Sequence, residues 1–164
     1  MGRVLSTKGK QYKDSAWVAN EYDALVRANE AGANVPQPLA LGSNALLMEF
    51  LGDSSHPAPE LREVSIETVV AGEFFERLVE TVGLFLSRDL IHGDLSAYNI
   101  LCCDQGLKVI DFPQAVDAVS NPNAFPLLVR DLERICEFFT KYGIEASALN
   151  LAREMWRLYQ RGEL

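Results

Sequence analysis

Between Leu90 and Val116 the chain reads LIHGDLSAYNILCCDQGLKVIDFPQAV, and four polar residues, His92, Asp94, Asn99 and Asp111, interrupt what is otherwise a series of short apolar segments. Asp94 and Asn99 are separated by four residues, and Asp111 follows the second apolar segment. When a loop carries the first pair and a hairpin's second strand ends at the third, loop and strand end lie side by side. The three side chains then converge. Such a set suits phosphoryl transfer, in which one carboxylate orients or deprotonates an attacking hydroxyl and hard oxygen ligands hold magnesium against nucleotide phosphates. The pattern H-x-D-x-x-x-x-N, an apolar strand and then D-F assigns Asp94 as the catalytic carboxylate and Asn99 and Asp111 as metal ligands. His92 is expected to be a scaffold residue, hydrogen-bonded to backbone near Asp111. Taken singly, these residues are ordinary: an Asp after Gly93 suits a turn, Asn99 suits a loop, and a lone His usually sits satisfied in a core. Their joint spacing carries the inference. A zinc site is the weaker competitor, because His56 and His92 are the two histidines and Cys102, Cys103 and Cys136 lack ligand spacing.

The elements that must position these groups are legible in the hydrophobic pattern. From Trp17 to about Glu30, Trp17, Val18, Tyr22 and Leu25 recur at helical spacing, and Glu21 lies four residues from both Trp17 and Leu25, so it points to the apolar side and wants a cation. An edge position, from which Glu21 reaches water, is the alternative. The prolines of VPQPL end helical structure, ALLMEFLGD reads as a buried strand leaving through Gly52, and SSHPAPEL reads as a loop or linker. Val70, Phe74, Leu78, Val82 and Phe85 predict a long buried helix over 65–89. Strands over Asn99 to Cys102 and Leu107 to Ile110 are joined by hairpin chemistry in DQG. Two more helices follow, one with Leu128, Leu132, Ile135, Phe139 and Tyr142 on a face and a stop at Gly143, the other carrying Leu149, Ala152, Trp156 and Tyr159.

Composition narrows the functional classes. The chain has 164 residues, 48% of them hydrophobic, enough for one core or a core with a small extra lobe. A formal charge of -8 argues against nucleic-acid binding through the overall field, although Arg3, Lys8, Lys10 and Lys13 make the N-terminus basic, as a solvated tail would be. Three cysteines without a pairing pattern predict a reduced, intracellular and cytoplasmic protein. No stretch reaches the ~18 apolar residues of a membrane span.

LIHGDLSAYNIL followed by VIDFPQAV closely resembles the signature of the RIO family of atypical protein kinases. WVANEYDALVRANEAGANVPQPLA resembles that family's first conserved helix and following segment, ALLMEFLGD its interlobe hinge strand, and NPNAFPLLVRDLERICEFFTKYGI its C-terminal helix. The resemblance implies an α+β, protein-kinase-like fold, with a partial N-lobe over 1–52 and a mainly helical C-lobe over 53–164. It implies ATP and magnesium as cofactors, Met48 as gatekeeper, and backbone contacts from Glu49 and Leu51 to the adenine over a floor of Leu101 and Ile110. Asp94 matches the catalytic aspartate, Asn99 and Asp111 the magnesium ligands, and Glu21 the glutamate that pairs with a nucleotide-binding lysine. The aspartate matching Asp111 is also implied as a phosphate acceptor, so Asp111 counts as catalytic too.

Two parts of that machinery are not found upstream of Glu21: a glycine-rich loop over the phosphates, and a lysine at the end of an apolar strand. The chain is therefore read as starting inside what is elsewhere the N-terminal lobe, leaving Glu21 without its lysine and a small sheet around 39–51 with a bare edge that dimerisation or a protein partner could cover. Pro113 replaces the third residue of D-F-G and restricts Phe112, which disfavours a regulatory flip. The leading expectation is phosphoryl transfer from Mg·ATP to protein Ser/Thr or to the chain's own aspartate. Alternatives are a small-molecule phosphotransferase of the aminoglycoside or choline kinase type, and a non-catalytic scaffold. A ribosomal partner is implied by the resemblance alone.

Overall fold

The computed structural model describes residues 3–4 and 14–164. Helix α1 (Asp14–Glu30) packs on a three-stranded antiparallel sheet formed by β1 (Arg3–Val4), β2 (Pro38–Leu41) and β3 (Leu46–Met48). The order is β1-β3-β2, with Arg3 opposite Met48 and Leu41 opposite Leu46. Arg3–Val4, expected within a solvated tail, thus lines β3, which has a partner on both sides; Lys8, Lys10 and Lys13 lie outside the described residues. The expected strand over ALLMEFLGD is shorter than its apolar run. Only Leu46–Met48 is laddered, because the chain turns away after the Glu49 N–H bonds Gln37 O at 2.8 Å.

Helix α2 (Thr68–Leu86) buries Leu78, Val82 and Phe85 of the expected stripe together with Leu86, while Val70 and Phe74 at its start are only partly buried. Strand β4 (Leu90–Ile91) pairs with β7 (Val116–Asp117), Leu90 opposite Asp117. This two-residue clamp brackets the whole polar segment. Inside it, β5 (Ile100–Cys103) and β6 (Gly106–Val109) form the expected hairpin, Ile100 opposite Val109, with Asp104-Gln105 as its tip. Helix α3 (Ala124–Thr140) buries Leu128, Leu132, Ile135 and Phe139 against α2, and α4 (Ala148–Arg161) crosses α3.

Two faces differ from the sequence pattern. Trp17 is 63% exposed, because the inner face of α1 is carried by Val18, Ala24, Leu25 and Ala28, and a residue next to Val18 is turned about 100° away from it. In α4 the buried line is Ala148, Ala152 and Met155, with Trp156 and Tyr159 flanking it and Leu149 outside. Among the described residues no helix is long and apolar enough to cross a membrane.

Candidate phosphoryl-transfer site

The loop between β4 and β5 is held from below by His92. The residue is 1% exposed, its ring tilted against Phe112 with centroids 4.7 Å apart, and Phe85 packs edge-on to Phe112 with its centroid 6.4 Å from the imidazole. Nε2 lies 3.1 Å from Ile110 O, and Nδ1 accepts from the Asp94 N–H at 3.3 Å. Burial pushes this imidazole down to about 4, so at neutral pH it is uncharged, with its proton on Nε2 donated to Ile110. The scaffold role expected of His92 is thus its observed bonding: one ring fixes the residue before Asp111 and the backbone of Asp94.

Asp94 is gripped at several points. Asn99 Nδ2 donates to Asp94 O at 2.8 Å, the Ile110 N–H bonds Asn99 O at 2.9 Å, and Asp94 Oδ1 accepts from Arg134 Nη1. On α3, Asp131 is buried and accepts the Gly93 and Leu95 N–H groups at 2.8 and 3.0 Å, while Arg130 donates to Gly93 O. Burial pushes Asp131 up to about 6 against the pull of those two N–H groups. Gly93 has φ 80°, and a Cβ there would collide with the Gln114 carbonyl, so the turn that presents Asp94 requires glycine.

Asp111 adopts φ 70°, a left-handed conformation that Asp tolerates better than most residues and that marks functional turns. Its carboxyl is pushed up by burial and by the charge of Asp94. Glu21, half-buried on α1, is pushed up by burial and then by Asp111, while the Phe112 amide pulls it down. Glu21 thus feels the charge of Asp111, Asp111 feels that of Asp94, and Asn99 bonds the Asp94 carbonyl, so the four residues make one acidic cluster. Among the described residues no cation pairs with Glu21; the cation expected beside it is not among them. The C-terminal turn of α1 is anchored by Arg27, whose Nη2 donates to Arg88 O at 2.6 Å, Asp89 O at 2.9 Å and Asp117 Oδ2 at 3.2 Å.

Met48, Glu49, Leu51, Leu101 and Ile110 meet in one cavity of about 280 Å³, closed by Pro36, Phe50, Pro57, Ala58, Glu60 and Glu63. The stretch expected to be a loop or linker forms a wall of it, tied to β5 by the Cys102 N–H on Pro59 O at 2.8 Å. Among the described residues Glu49 O and the Leu51 N–H carry no backbone hydrogen bond, while the Glu49 N–H and Leu51 O are both engaged.

Asp131, Arg130 and Arg134 were not singled out by motif. The signal for Asp131 was present: it falls between Leu128 and Leu132 on the buried stripe of α3, where an acid needs partners.

The RIO domain model matches residues 3–152. The chain is 39% identical over 136 residues to the RIO-type serine/threonine-protein kinase Rio1 of Haloferax volcanii, covering 83% of this chain and 46% of that one. It is 30% identical to the human serine/threonine-protein kinase RIO1, covering 85% of this chain and 24% of that one. The chain thus spans about half or less of the length of these relatives. The Rio2 kinase of Chaetomium thermophilum, in its ADP/Mg2+-phosphoaspartate complex, superposes with a TM-score of 0.69 at 22% identity over 93% of this chain and 53% of that one, which establishes the protein-kinase-like fold. With the signature residues converging as described and the family match spanning nearly the whole chain, this protein belongs to the RIO domain family.

Proposed function

We propose that the chain binds Mg·ATP and transfers the γ-phosphoryl group to a Ser/Thr hydroxyl or to Asp111. The observation that carries this reading is the meeting of the apolar cavity with the acidic cluster through Ile110, which lines the first and whose carbonyl anchors His92 beside the second. Adenine suits the cavity: Glu49 O is open to its amino group and the Leu51 N–H to a ring nitrogen, between Met48 at the back and Leu101 and Ile110 beneath. The segment around Glu49–Gly52 is then the hinge between an N-lobe and a C-lobe.

The residues fit magnesium. Asn99 uses Nδ2 on the Asp94 carbonyl, which leaves its Oδ1 as a ligand, and Asp111 supplies a carboxylate held where its charge is opposed by Asp94. Among the described residues no three His, Cys, Asp or Glu side chains could hold a metal, so phosphate and water oxygens would complete the shell. Magnesium, when bound, offsets charge on the phosphates. Asp94 accepts the acceptor's proton; where the acceptor is Asp111 no proton moves. The phosphoaspartate of the similar Rio2 complex supports Asp111 as an acceptor.

Isothermal titration of the purified chain with ATP, with and without magnesium, tests this. Binding that requires magnesium, weakened by Asp111→Ala and retained in Asp94→Ala with loss of turnover, is expected. A folded chain that binds no nucleotide would refute the reading.

A further inference from the structure

Asp94 is restrained at three of its four polar atoms. Its N–H is on His92, its carbonyl on Asn99 and its Oδ1 on Arg134, whereas Oδ2 takes no hydrogen bond among the described residues. The ion pair is accessible, its side chains 38% and 37% exposed, and it stands at the wall of an open pocket of about 540 Å³ lined also by Ser96, Tyr98, Asn99 and Phe138. This pocket shares Asp94 and Asn99 with the acidic cluster and none of the lining of the apolar cavity. Arg134 makes no other hydrogen bond among the described residues, so its guanidinium is committed to the carboxylate rather than to the fold at large. With the Asp94 backbone held by His92 and Asn99, a guanidinium bonded to Oδ1 restricts rotation about Cβ–Cγ and so limits the direction of Oδ2.

The geometry points to Arg134 as a positioning residue for phosphoryl transfer, aiming Asp94 Oδ2 into this pocket, which receives the acceptor hydroxyl. The inference rests on the phosphotransferase reading above. In the step it serves, the acceptor oxygen bonds the γ-phosphorus, the bond to the bridging oxygen breaks with its electron pair leaving on ADP, and the hydroxyl proton passes to Asp94 Oδ2. Arg134 touches none of the reacting atoms. A carboxylate freed to rotate loses near-attack geometry, a loss on the order of 100-fold in rate for a displacement of about 1 Å.

The test uses the full chain and γ-32P-ATP, with transfer to casein, to water and to the chain itself followed under single turnover, ATP affinity by titration, and melting by circular dichroism. Arg134→Gln is expected to lower the transfer rate on the order of 100-fold with ATP affinity and melting temperature unchanged. Arg134→Lys should recover part of the rate, and guanidinium ion added to the Gln variant should recover more. A Gln variant as fast as wild type overturns the inference while leaving the phosphotransferase reading intact. Parallel loss of rate, affinity and melting temperature in both variants, without guanidinium rescue, overturns it in favour of a structural role. A wild-type chain that binds ATP but transfers nothing overturns both together.

Discussion

Asp131 Oδ2 lies 2.8 Å from the amide nitrogen of Gly93, across 38 residues of sequence, and its other oxygen takes the Leu95 amide. Helix α3 thus dictates the backbone on both sides of Asp94. Asp131→Ala orphans two buried donors at about 1–3 kcal/mol each, offset in part because a buried charge is removed too. A net loss of about 1–3 kcal/mol in urea unfolding is expected. Hydrogen exchange gives the local readout: the Gly93 and Leu95 amides should lose protection well beyond the global change, and unchanged protection would refute the anchoring role.

His92 and Asp131 have opposite acid dependences. His92 is held neutral at about 4 against an ordinary 6.5, so its contribution is complete above 6.5 and is lost as pH falls towards 4, where the unfolded chain binds a proton the folded one refuses. Asp131, raised from 3.8 to about 6, adds stability as pH falls through that window. The two nearly cancel between about pH 6 and 4, giving a flat profile. Replacing His92 by Gln removes one arm. The stability difference between wild type and His92→Gln should shrink by about 3 kcal/mol from pH 7.5 to 4. Parallel unfolding curves across that range would show that His92 is not held neutral.

Legibility followed the length of the pattern. Helix α2 and the β5–β6 hairpin repeat an apolar period often enough to be read, and the Asp94, Asn99 and Asp111 set followed from the hairpin between them. The β4–β7 clamp is two residues on each side, too short for any period, and the shift of α1 that exposes Trp17 depends on which small residues, Ala24 and Ala28, meet the neighbouring elements. Arg134 carried no signal at all. A charged residue on an amphipathic helix is ordinarily a solvated one, and only the tertiary path of the loop brings it to Asp94.

Gly93 and Gly143 share φ 80° but differ in surroundings, which separates strain from collision. A Cβ at Gly143 meets nothing within 4 Å, whereas at Gly93 it collides with the Gln114 carbonyl. Gly143→Ala should cost only the left-handed penalty of about 1–2 kcal/mol. Gly93→Ala should cost that and about 1–3 kcal/mol more, since the backbone facing it must shift. Thermal unfolding of the two variants decides it. Equal losses would mean that the loop yields freely and that Gly93 does not fix the place of Asp94.

Arg27 bolts the C-terminal turn of α1, the helix that carries Glu21, to the Arg88–Asp89 turn, and its energy should lie more in carbonyls than in its ion pair. Its side chain and that of Asp117 are 25% and 39% exposed, so the charge pair at 3.2 Å is screened and is expected to contribute about 0.2–1 kcal/mol. The bonds to Arg88 O and Asp89 O fix a turn in which Asp89 has φ 56° and its carboxylate takes the Tyr159 hydroxyl at 2.5 Å, so the same corner ties α1 to α4. Arg27→Gln should therefore cost about 2 kcal/mol, from charge-assisted bonds to two carbonyls, against less than about 1 kcal/mol for Asp117→Asn. The double variant should show coupling of about 0.5 kcal/mol, close to the worth of the pair itself. The asymmetry is the informative quantity: equal losses with coupling as large as either would place the bolt in the ion pair, and salt would then loosen α1 and the carboxylate it carries.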